Sequence, residues 1–134
     1  MSSASRIDPK NVTLVVAGGF LGVLARYFLT AFLAQFAVGI GGFPAATFIE
    51  NVIGSFLLGA LVIWFCADHR ALPFLGAGLL GGFTTYSAFA FESVTMVAAW
   101  GIQVAGAYVL LALVAGLCAA GAGMYLASRI KGRC

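Results

Sequence analysis

The chain has 134 residues, 63% of them hydrophobic and 8% charged, with a formal net charge of +3 and a mean hydropathy of +1.09. These proportions exclude an ordinary soluble domain and leave no aqueous domain in which to house an enzyme. The small positive excess is explained by topology and interfacial anchoring, so no nucleic-acid partner is needed.

Four apolar stretches, at 12–36, 44–66, 73–100 and 102–126, occupy most of the chain. About 20 apolar helical residues cross a bilayer, so each is long enough to do so. The runs are apolar on all sides and broken by glycine, without the period of two that outer-membrane strands require. A secretory signal ahead of a soluble body is not expected, because the first run is too long for an h-region and three more follow. The sequence therefore predicts an all-α membrane protein, a single domain over 1–134 made of four transmembrane helices joined by short connections.

The first span carries Gly18 and Gly22, whose spacing lets helix backbones approach closely, and Arg26 in its second half. The Arg26 side chain serves either as a snorkelling anchor at the headgroups or as a vestibule residue that attracts anions. The second span opens with Thr47, Glu50 and Asn51, the first and last four residues apart on one helical face. The third contains Gly78 and Gly82 and then Gly81-Gly82-Phe83-Thr84-Thr85-Tyr86-Ser87 at its midpoint. Paired glycines and hydroxyls there, in a span longer than a bilayer needs, predict a helix broken near its middle. Backbone freed at that depth is tolerated only where protein buries it, where it lines a cavity or where it binds an ion. Tyr86 and Phe89 lie three apart beyond the expected break, and Glu92 follows. The fourth span places Tyr108, Ala112 and Gly116 in one row.

Lys and Arg set the orientation. Four spans put both termini and the central connection on one side, which holds Arg6, Lys10, Arg70, Arg129, Lys131 and Arg133, and the positive-inside rule makes that side cytoplasmic. Glu50 and Glu92 then both fall in the outer half of the membrane. His69 in the central connection reads as a solvated loop residue. Cys66, Cys118 and Cys134 fit no CxxC or Cys/His pattern and are expected to be free thiols.

Taken together, Gly18-Gly19-Phe20-Leu21-Gly22 with Ala25-Arg26-Tyr27, Thr47-Phe48-Ile49-Glu50-Asn51 with Gly54-Ser55-Phe56 and Gly59, and Gly81-Gly82-Phe83-Thr84-Thr85-Tyr86-Ser87-Ala88-Phe89 with Glu92 resemble the Fluc/CrcB family of fluoride channels. The third motif is the most specific, and the order of all three spans nearly the whole chain. The resemblance implies an antiparallel, dual-topology dimer in the plasma (inner) membrane. It also implies two fluoride pores at the dimer interface, through which cytoplasmic fluoride leaves passively. By the same resemblance Asn51 lines the pore and Tyr86 and Phe89 offer ring edges to the ion; the side-chain chemistry of Thr47, Ser87 and Tyr108 lets them add hydroxyl donors. Arg26 stands at the vestibule, and the backbone oxygens of Gly81 and Thr84 hold a central structural sodium ion.

The sequence departs from the family pattern at four points. Tyr86 replaces a usual phenylalanine, Glu50 stands beside the pore asparagine where an apolar residue is expected, and Ala112 takes a position where serine is common. The Lys and Arg bias toward one side is the fourth departure, because a dual-insertion subunit should be nearly balanced. Glu50 and Glu92 are therefore candidate modulators. Two alternatives stay open: a proton-coupled four-helix exporter using Glu50 or Glu92, and a non-conducting subunit of a heterodimeric channel.

Overall fold

The computed structural model describes residues 8–35, 43–65 and 71–131. The central Asp68-His69-Arg70 connection, Arg6, Arg133, Cys66 and Cys134 lie outside the described residues. The elements are α1 (Pro9–Ala34), α2 (Ala45–Phe65), a π-helical segment (Pro73–Leu80), α3 (Gly81–Phe83), α4 (Tyr86–Trp100) and α5 (Ile102–Lys131). α1, α2, the combined third span Pro73–Trp100 and α5 are each long and apolar enough to cross a membrane.

Local chemistry explains the ends. Asp8 caps α1 by accepting from the Lys10 amide at 3.0 Å, and Pro9 follows where its missing N–H costs nothing. Between α4 and α5 the chain reverses at Gly101, whose φ of 86° is open to glycine without strain. α5 continues past 126, the expected end, to Lys131, and Arg129 and Lys131 lie in its last turn, where cations complement the helix dipole. Arg129 donates to the Tyr125 hydroxyl at 2.7 Å and Lys131 donates to the Trp64 carbonyl. This basic, aromatic end suits a headgroup layer.

Two helix pairs make the bundle: α1 lies along the π-helical segment and α3, and α2 lies along α5. Glycine sets both contacts. A side chain at Gly18 or Gly22 would collide with the backbone of Phe74 or Leu79, and one at Gly82 with the Gly19 carbonyl. The expectation that Gly18 and Gly22 serve packing within the bundle is thus met, and Gly78 and Gly82 are their counterparts across the crossing. On the other side Gly59 abuts Ala120, and Gly123 abuts Phe56 and Ala60.

The third span bends by 20° overall. Within it Thr84 and Thr85 leave helical dihedrals, with ψ of 152° and 122°. The departure is local to those two residues, and the span keeps one general direction.

Burial is inverted relative to a soluble bundle. Large apolar side chains such as Phe20, Phe28, Phe91 and Leu117 face outward, where hydrocarbon would cover them, whereas the largest fully buried side chain among the described residues is that of Glu50, 1% exposed. Thr47 and Thr85 are buried too.

Candidate functional site

Asn51 organises the site. Its Oδ1 accepts from the Thr85 amide at 2.8 Å and its Nδ2 donates to the Thr85 carbonyl at 3.1 Å, so one side-chain amide clamps one backbone residue from both sides. One Nδ2 hydrogen remains for another acceptor. The clamp is possible because Thr85 is extended, and Thr85 in turn caps α4 by accepting the Ala88 amide on its Oγ1 at 3.2 Å.

These two bonds divert the helical donors of two carbonyls. In an uninterrupted helix the Thr85 amide would donate to Gly81 and the Ala88 amide to Thr84; here the first goes to Asn51 and the second to the Thr85 hydroxyl. The carbonyl oxygens of Gly81 and Thr84 therefore have lost their helical donors in the middle of a membrane span. Two such neutral oxygens, close in sequence and with Gly81 exposed, suit a hard monovalent cation to which further oxygens are supplied from elsewhere.

Beside the clamp lies a groove of ≈ 500 Å³ whose lining includes Asn51, Ser55, Thr84, Thr85, Tyr86 and Phe89. Ala112 and Gly116 of α5 form its far wall. Tyr86 is 81% exposed on the outer surface of the chain. Ser87 is also exposed, and its hydroxyl shares a 3.3 Å hydrogen bond with that of Thr85.

Thr47 and Tyr108 lie elsewhere. Thr47 donates to Glu92 Oε1 at 2.7 Å, and Tyr108, 3% exposed, is close enough to feel the Glu92 charge. Glu92 Oε2 and the Tyr108 hydroxyl are both buried without a partner. Phe89 connects this buried group to the groove. Its ring centroid is 5.6 Å from that of Tyr108 and 6.3 Å from that of Tyr86, and Phe43 continues the series edge-on to Tyr108 at 5.5 Å. The row expected from Tyr108 through Ala112 to Gly116 is thus divided, its first member in the core and the other two in the groove.

A third group surrounds Glu50, whose Oε1 accepts from the Thr30 hydroxyl at 2.5 Å. Arg26, one turn earlier on α1, acts on the Glu50 charge, and its Nε is buried without a partner. Sequence reasoning missed Thr30 and Phe43. Thr30 could have been found from its position four residues after Arg26, on the same helical face. The Thr85 clamp had no sequence signal of its own.

A family model described as CrcB-like protein, Camphor Resistance (CrcB), matches residues 13–124. The chain belongs to the CrcB family. Among its curated CrcB relatives, one from Roseobacter denitrificans is 44% identical over 108 residues, 78% of this chain and 84% of the relative. Another from Gloeobacter violaceus is 40% identical over 123 residues, 90% of this chain and 97% of the relative. A third, from Oceanobacillus iheyensis, is 37% identical over 127 residues, 91% and 95% of the two chains. Each is named a fluoride-specific ion channel, FluC. Membership of the CrcB family and four apolar helices make the chain a multi-pass plasma-membrane protein.

Proposed function

We propose that this chain forms a fluoride-selective channel that releases cytoplasmic fluoride passively, through pores completed when two copies pair in antiparallel orientation. The observation that carries the reading is the groove at Asn51. It places an extended backbone pair, freed carbonyls, hydroxyls and the exposed Tyr86 on a surface that would otherwise face lipid. Hydrocarbon does not tolerate such backbone, so protein must cover it. A second copy of the same groove does so and brings its own donors.

Fluoride is small and strongly hydrated, and a pore must replace its water with oriented donors while binding weakly enough to release it. Arg26 raises the anion concentration at the mouth. The remaining Asn51 amide hydrogen donates into the groove, the exposed Ser87 hydroxyl adds a donor next to Tyr86, and the rims of Tyr86 and Phe89 present the positive ring edge to the ion between donors. Thr47, Glu92 and Tyr108 form a second polar station behind Phe89. At the centre of the dimer, the carbonyls of Gly81 and Thr84 from each copy would hold a sodium ion, whose charge would draw the two freed backbones together. The extended backbone at Thr84 and Thr85 would have its purpose here, in freeing those oxygens for the ion.

Reconstitution of the purified chain alone into liposomes tests this, with fluoride efflux followed by an ion-selective electrode and chloride as the control. Rapid fluoride-selective efflux is expected. Absence of efflux from folded protein, with flux restored by an inverted partner, would make the chain one half of a heterodimer. Proton-dependent export of an organic cation instead would establish the exporter.

A further inference from the structure

Among the described residues the charged groups in the interior of the spans are Arg26, Glu50 and Glu92, two acids to one base. They form one neighbourhood. Glu50 faces Arg26 and Thr30 from α1, and Glu92 of α4 is close enough for the two carboxylates to repel each other. On α2 itself Thr47, one turn before Glu50, is bonded to Glu92, and Tyr108 of α5 stands against Glu92 from the other side. One negative charge is left without a counter-charge, and a single proton neutralises the cluster.

Glu50 is suited to take that proton. It is 1% exposed, it precedes the groove residue Asn51 directly in the chain, and its charge interacts with Arg26. Its bond to Thr30 survives either state, because Oε1 accepts from the hydroxyl whether or not the other oxygen is protonated. The carboxyl can therefore gain and lose a proton without breaking the contact between α1 and α2. A unit charge acting through protein over about two helix turns alters the local concentration of a small anion by about tenfold.

We propose that Glu50 is a proton-operated regulator of anion passage: ionised, it opposes an anion at Asn51 and competes with it for Arg26; protonated, it admits the anion. The proposal rests on the channel reading given above and adds to it a dependence on pH.

The test compares wild type with Glu50→Gln, which keeps the side-chain volume and the acceptor for Thr30. Fluoride efflux from liposomes is recorded across a pH series, and the leak from protein-free vesicles is subtracted because fluoride crosses lipid as its neutral acid. Wild-type efflux should rise at least about threefold as pH falls across the series, and that of Glu50→Gln should stay near the wild-type low-pH rate throughout. Parallel profiles for the two proteins would overturn the proposal while leaving the channel intact. If neither protein conducts although both are folded, the channel reading fails, and infrared difference spectra of the same vesicles decide the proton site. A carboxylic acid carbonyl band that grows with falling pH in wild type and is missing in Glu50→Gln upholds proton binding at Glu50; identical spectra overturn it.

Discussion

Asn51 has two tasks that can be separated by substitution. Its Oδ1 holds the Thr85 amide, and its Nδ2 holds the Thr85 carbonyl while keeping one hydrogen to spare. Asn51→Asp retains the first bond, loses the second and puts a negative charge beside the path, so fluoride efflux should fall to the level of empty vesicles while the helical content persists. Continued conduction by this variant would remove Asn51 from the pore. Phe89 poses a different question, because its ring lies between Tyr86 and Tyr108 and contributes no hydrogen bond. Phe89→Ile keeps an apolar side chain of moderate size but deletes the ring edge, and efflux should drop by about three- to tenfold, the kinetic equivalent of one aromatic-edge contact. Unchanged efflux would mean that the aromatic rims only exclude water.

At the level of elements, the bundle depends on backbones meeting where glycine leaves room. A Cβ at Gly123 would strike the Phe56 carbonyl and lie 3.0 Å from the Ala60 amide, whereas one at Gly121 would meet nothing within 4 Å. Gly123→Ala should therefore destabilise the fold by about 1–3 kcal/mol as α5 is pushed off α2, with Gly121→Ala close to neutral. Thermal unfolding in detergent measures both, and equal shifts would show that α2 and α5 tolerate separation. The spans themselves were legible from hydropathy, and so was the packing role of Gly18 and Gly22, because four-residue spacing marks one helical face; that the third span is their partner was not. The π-helical segment was not, since a shift of hydrogen-bond register from four residues to five leaves composition unchanged. Nor was the division of the polar residues. Periodicity places Thr47 and Asn51 on one face, but Thr47 turns to Glu92 and Asn51 to Thr85, because the two reach different neighbours along the same helix. Glu50 was legible as a candidate modulator. The four-residue spacing puts Thr30 on the face of Arg26, but that this face meets Glu50 depends on how α1 crosses α2, which the spacing does not encode.

For the whole molecule, the groove and the charge bias pull in opposite directions. Covering the groove with an identical copy in antiparallel orientation requires that half of the chains insert inverted, yet Arg6, Lys10, Arg70, Arg129, Lys131 and Arg133 all favour one side. Each cation near a span end contributes to that preference, but burying the paired grooves against each other rewards the inverted copies that find a partner. The channel proposed above is a self-paired dimer, and the orientation of its copies can be read directly. In a variant with Cys66→Ala and Cys118→Ala, Cys134 is the remaining thiol, and a membrane-impermeant maleimide applied to intact cells should label a substantial fraction of it, the rest reacting only after the membrane is opened. Labelling from the cytoplasmic side alone, in cells that this chain protects from fluoride, would fix every copy in one orientation. The groove would then need an inverted partner of different sequence, the liposome assay on the single chain would be silent, and co-expression with a subunit of opposite charge bias should restore efflux.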